Sequence, residues 1–276
     1  EYFREHNPNI WLNMHTNGGA REEDWWKDIA KVFKQKGDVT FSVDGLEDTN
    51  HLYRQNVQWA KVERSIKAFT GAGGRARWDF LIFEHNQHQV EQAKLVAKQW
   101  GVEKFVSKKT GRFISAKSEK KEQHQAVNRK GQETTTLKKP EAKYQNKELS
   151  KYDLLIEKYG SMDSYYDVVP INCKVKDEGN LFITAEGLAL PCCWTAGRMY
   201  KWWQKDPKVE QIWQFIDHVG GKESLDATKG LEKVFETGIF DLIENSWETK
   251  GCSNGKLKVC AMKCGKEFDP FGSQYV

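Results

Sequence analysis

From residue 8 to about 106 the apolar positions switch between two periods. "NIWLNMHTNGG" opens apolar and ends in a Gly pair, the pattern of a strand entering a turn. "REEDWWKDIAKVFKQKG" then places Trp25, Ile29, Val32 and Phe33 at helical spacing, with Gly37 where a C-terminal cap belongs. A short strand, "VTFSVDG", precedes a long helical stretch from about Thr49 to Thr70 that stops at "GAGG". The strand "ARWDFLIF", the polar turn "EHNQ", the helix "HQVEQAKLVAKQWG" and a last strand, "EKFVSK", complete the series. Strands alternating with helices of this length predict βα units, hence an α/β fold with a parallel sheet or barrel. Ligands of such folds bind at the C-terminal ends of strands. Here those ends are Thr16 to Gly19, Ser42 to Gly45 and Glu84 to Asn86.

From about Lys108 to Leu149 the chain turns to Lys, Gln, Glu, Ser and Thr, with few large apolar residues. A segment of that composition buries too little surface to offset its ordering entropy, which predicts a loosely draped linker over 108–150. Its basic run "SEKKEQHQAVNRKGQ" reads as a solvated face. The remainder, 151–276, reads as a small second domain with a helix, a hairpin and amphipathic stretches near 196–217 and 229–248, behind a first domain over 1–107.

Charge changes this picture little. The 43 basic and 39 acidic side chains are interspersed and leave a net charge of +4, so nucleic acid is not an expected partner. The 11 tryptophans, several in helical patterns, read as core aromatics rather than a stacking platform for bases. No apolar run approaches the roughly 20 residues of a membrane span, and the first residues lack a signal-peptide core, so a cytoplasmic protein is expected. The first residue is Glu1, and further residues upstream are expected.

All six cysteines fall at or after Cys173. Cys173 and Cys192 form C-x13-G-x4-C around "NLFITAEGLALP", which alternates and turns like a β-hairpin and predicts the two thiols together at its base. Cys252, Cys260 and Cys264 follow in "GCSNGKLKVCAMKCG". In a reducing compartment such spacing suggests metal ligands before disulfides. Four thiolates suit zinc or an iron-sulfur cluster equally well, and buried free cysteines are the plain alternative.

The C-x13-G-x4-C hairpin with the later C-x3-C-G resembles the auxiliary-cluster region of radical SAM enzymes that carry a SPASM or shortened twitch domain. "FSVDGLEDTNHLYR" is similar to their fourth-strand segment, in which Ser-x-Asp-Gly is followed by an Arg, here Arg54. "LNMHTNGG" resembles their third strand, and "WDFLIFEHNQHQVEQAKLVAKQWGVEKF" their fifth strand, helix and sixth strand. The resemblance covers about 8–106 and 168–265. It implies a partial (β/α)6 barrel lacking its N-terminal strands, followed by a small α+β cysteine-rich domain.

It also implies a chemistry. Such enzymes hold a [4Fe-4S] cluster on C-x3-C-x2-C, and the cluster cleaves S-adenosylmethionine to a radical that abstracts a substrate hydrogen. No cysteine precedes Cys173, so that motif is absent from these residues and the chain is expected to be incomplete for catalysis. By resemblance Asn17, Ser42, Asp44 and Asn86 would contact S-adenosylmethionine, while Cys173, Cys192, Cys260 and Cys264 would hold one auxiliary [4Fe-4S] cluster, with Cys252 as an alternative ligand. Cys193 stands where sulfatase-maturing relatives carry an Asp base, a departure from that subgroup. The expected partners are a peptide or small-molecule substrate and an electron donor protein. The competing functions are an electron-carrier or binding module without catalysis and a zinc-stabilised interaction protein.

Overall fold

The structure is a computed structural model that describes residues 1–34, 36–114, 121–127, 132–200 and 207–269. A short helix α1 (Tyr2–His6) leads into the alternating half: β1 (Leu12–Thr16), α2 (Glu23–Phe33), β2 (Gly37–Ser42), α3 (Asn50–Tyr53), α4 (Trp59–Gly71), β3 (Ala76–Ile82), α5 (Val90–Gln99) and β4 (Lys104–Lys109). The strands form one parallel sheet in the order β1-β2-β3-β4. Each neighbour in the sheet is therefore the next strand in the chain, as successive βα units require.

The sheet has two unlike faces. Val39, Phe41 and Val43 of β2 and its end, with Ala76, Trp78, Phe80 and Ile82 of β3, meet Trp26, Ala30 and Phe33 of α2, Val62, Ile66 and Phe69 of α4, and Ala93 and Ala97 of α5 in one core. Burying each large side chain there contributes about 1.5–3 kcal/mol. The alternate positions carry Asn13, His15, Asp38, Thr40, Ser42, Arg77, Asp79, Lys104 and Lys108, which the period of two sends to the opposite face.

Two expectations are corrected. The helix expected from Thr49 to Thr70 is broken: α3 ends at Tyr53, Asn56 takes a left-handed φ of 62°, and α4 starts at Trp59. The 108–150 stretch is not a loose linker where it is described. It extends β4 to Lys109 and forms an antiparallel hairpin of β5 (Gln123–Val127) and β6 (Glu133–Lys138). Phe113, Leu137 and Leu149 form a small core with Leu81 and Phe83 at the end of β3. Part of its basic run lies outside the described residues.

The second half is a set of short helices: α6 (Glu148–Tyr159), α7 (Met162–Val168), α8 (Lys174–Asp177), α9 (Cys193–Met199), α10 (Ile212–His218), α11 (Leu231–Glu236), α12 (Ile239–Asn245) and α13 (Lys258–Cys264). A two-residue hairpin, β7 (Phe182–Ile183) with β8 (Ala189–Leu190), sits between α8 and α9. Leu190, Ile212, Ile216, Val234, Ile239 and Leu257 centre its main core. No helix among the described residues is long and apolar enough to cross a membrane.

Candidate functional site

Two groups of residues carry chemistry. The first lies where β2 and β3 end. Asp44 is buried, and its Oδ1 accepts the Leu81 N–H at 2.6 Å while Oδ2 accepts Arg54 Nε at 2.5 Å. Burial pushes its carboxyl up, against the pull of Arg54. Asn86 is fully buried: its Nδ2 donates to the carbonyls of Asp44 (2.8 Å) and Leu81 (2.9 Å), and its Oδ1 accepts the Phe83 N–H at 2.7 Å. Gly45 is required beside them, because a Cβ there would stand 2.3 Å from Thr49 Oγ1. These bonds tie the strand ends together and use both amide hydrogens of Asn86.

The other two residues of this group are open. Asn17 is exposed, and its Oδ1 accepts the Gly19 N–H at 3.0 Å in a local turn. Ser42, half-buried at the end of β2, has no side-chain hydrogen bond among the described residues. It lies in register with Asp79, a residue the motif reading missed. Asp79 is 4 % exposed and takes Arg77 Nε at 2.5 Å and the Lys108 ammonium. The signal for it was the Arg-Trp-Asp-Phe alternation of β3, which sends Arg77 and Asp79 away from the core.

The cysteines form the second group. The hairpin does not join Cys173 to Cys192. It is only two residues per strand, and Cys173 lies well before it, at the N-terminus of α8. A bridge between Ile171 and Gly265, with the Asn172 N–H on Cys264 O at 2.8 Å, sets Cys173 beside Cys264 instead. Gly265 permits this approach, since a Cβ there would meet Ala261 O at 2.5 Å.

The two thiols share a hydrogen bond, which lowers Cys173 to about 6 and raises Cys264. Cys173 is the one that ionises, because the N–H groups of Val175 and Lys176 also face it. Cys260 on α13 is raised to about 12 by burial, and charge on Cys192 and Cys173 adds to the rise. Cys192, at the start of α9, sits 3.6 Å from Thr195 Oγ1. Cys260 thus lies in the field of Cys173 and of Cys192, and Cys264 in that of Cys173 and Cys260.

Cys252 and Cys193 have different surroundings. The Cys252 N–H donates to Asp167 Oδ1 at 2.6 Å, and burial beside Asp167 raises its thiol to about 12. Cys193 is exposed, with its thiol raised by burial of the sulfur and by Cys192. Lys263, one turn from Cys260, lies over the Trp194 ring at 4.0 Å and is lowered to about 8 by burial.

Among the described residues no three His, Cys, Asp or Glu side chains are arranged around a single ion. The Trp247 indole nitrogen is buried and faces the Cys260 sulfur, which its N–H steadies as the thiolate.

No protein-family model matches the chain, and no curated protein matches it. Among solved structures it is similar to SuiB of Streptococcus suis, at 14% identity and a TM-score of 0.39 over 67% of this chain and 44% of that one. SuiB bound to S-adenosylmethionine gives the same identity and score over 90% of this chain and 59% of that one. The chain therefore spans about half the length of these structures.

Proposed function

We propose that this chain is part of a radical SAM protein of SPASM or twitch type, with an auxiliary [4Fe-4S] cluster on Cys173, Cys192, Cys260 and Cys264. What supports this reading is Cys173 set beside Cys264, with Cys260 in the electrostatic field of Cys173 and Cys192 and a buried Trp247 N–H facing its sulfur. Hydrogen bonds to sulfur are a means by which proteins tune such clusters. The donor set fits thiolate chemistry: Cys173 is already lowered towards its thiolate, and all four would be held as thiolates by a bound metal. Bound there, the cluster would supply one-electron transfer.

For S-adenosylmethionine the fit divides the four expected residues. Ser42 and Asn17 offer polar groups at strand ends, whereas Asp44 and Asn86 are engaged in holding those ends. Asp44 and Asn86 then act as positioning residues for Ser42. The cysteines of the catalytic cluster are not in these residues, so radical chemistry on a peptide or small molecule would need them, and an electron donor, from outside. The polar second face of the sheet supports a barrel-like interior, since an ordinary parallel sheet is apolar on both faces.

Anaerobic reconstitution with iron and sulfide tests the reading. About four irons and four sulfides per chain, lost in the Cys173→Ala/Cys192→Ala double variant, are expected. One tightly held zinc per chain and no visible colour would replace this reading with the zinc-stabilised interaction protein.

A further inference from the structure

The turn after β3 holds a buried ring nitrogen with nothing to bond. His85 is half-buried, its ring stacks on Phe83 at 5.5 Å and 12°, and its Nε2 is buried with no hydrogen-bond partner among the described residues. Such a nitrogen is costly in either tautomer, and costlier still as an imidazolium. Three titratable neighbours face it. Glu84 beside it favours the charge, although Lys138 of β6 draws on that carboxylate from 3.6 Å, whereas His51 of α3 and His88 of the same turn oppose the charge. Burial is the largest influence, so the imidazole is held below its ordinary value of 6.5 and is neutral at pH 7.

The same turn is where the β5–β6 hairpin is fastened. The Glu84 N–H donates to Lys138 O at 3.2 Å, and the Glu141 N–H to Gln87 Oε1 at 2.6 Å. Just past α3, Gln55 Nε2 donates to Thr134 Oγ1 at 2.5 Å and to Thr135 Oγ1 at 3.1 Å. Apart from Leu137, the residues of β6 are exposed or half-buried, so its hold is chiefly polar. Segments held in that way open at a small free-energy cost. The turn also carries Asn86, whose amide ties the ends of β2 and β3 together.

We propose that the 84–88 turn is an acid-sensitive latch: a proton on His85 loosens the turn, and with it the grip of the β5–β6 hairpin on α3 and on the end of β3. The proton puts a charge on a buried nitrogen that has no acceptor, between two other histidines that gain charge in the same pH range. The folded state holds this proton more weakly than the open one. The closed latch therefore has its full stability above pH 6.5 and loses it as pH falls through the lower, folded value. The inference rests on the sheet half alone and stands apart from the cluster reading.

Amide hydrogen exchange of the full chain from about pH 7.5 to about pH 5.5, corrected for the intrinsic pH dependence of exchange, tests it. Opening at the Glu84, Gln87 and Glu141 amides should rise by up to about tenfold per pH unit below 6.5, while the Ile66 and Phe69 amides in the core of α4 stay unchanged. His85→Phe keeps a ring on Phe83 and removes the titration, so it should flatten the rise. His124 of β5, also lowered by burial, is present in both proteins, and the difference between them belongs to His85. His51 and His88 are exposed, so a His51→Gln/His88→Gln double variant keeps the test valid if His85→Phe fails to fold, and its onset should move towards pH 6.5. Opening that does not change with pH, an equal rise at Ile66 or in His85→Phe, or an unmoved onset in the double variant would overturn the latch.

Discussion

The sheet half and the cysteine half solve the burial problem differently. In the first, four strands and three long helices share one core that includes Trp26, Phe41, Phe69 and Trp78, all nearly inaccessible to solvent. Hydrophobic burial suffices there, and polar groups are sent to the other face. In the second, short helices pack around Leu190, Ile216 and Ile243, and the Tyr200 hydroxyl and the indole nitrogen of Trp213 are buried without partners. Four thiols sit among them. The contrast teaches that the first half stabilises itself chiefly through one large apolar core, whereas the second packs short helices around a smaller one that also contains the cysteines.

The largest effect expected from this contrast is Phe41→Ala, a cavity in the sheet core costing about 3–5 kcal/mol in urea unfolding. A cost below about 1 kcal/mol would mean that the sheet core is not what holds this half. Asp44→Ala should destabilise by about 3 kcal/mol, since it leaves Arg54 and the Leu81 N–H without their acceptor. Asp44→Asn, which keeps an acceptor oxygen, should cost less.

The cysteine half offers two smaller tests on metal-free protein. Lys263 is lowered from 10.5 to about 8, so below pH 8 the fold must hold a charge that its site disfavours. Lys263→Met should therefore gain about 1–2 kcal/mol at pH 7, and the gain should shrink as pH rises from 8 towards 10.5. A gain that does not change with pH would assign it to packing. The smallest intervention is alkylation at pH 7. Cys173, lowered to about 6, should react before Cys252 and Cys260, both raised to about 12, as read by peptide mass mapping.

Much of the sheet was legible because its signals are local. The β3 strand and the helix that follows β1 are written in periods of two and about 3.6 that need no knowledge of the rest of the chain. The break at Asn56 was not, since a single left-handed residue leaves no periodic trace. Nor was the hairpin of β5 and β6, because Leu137 and Phe113 are too sparse to declare a core until Leu81 and Phe83 supply the rest of it. The four cysteines were named by resemblance, but the pairing of Cys173 with Cys264 depends on a bridge between residues far apart in the chain.

By itself, then, the sequence determined which segments are strands and helices, which face of each is apolar, and which residues have thiol, carboxylate or amide chemistry. Those properties are set by side-chain type and by the repeat of the backbone. Only the tertiary structure decided that Asp44 and Asn86 fasten strand ends, that His15, Thr40, Arg77 and Lys104 share one row, and that Cys173 meets Cys264. Each of these is a meeting of residues distant in the chain, fixed by register and packing rather than by any local preference.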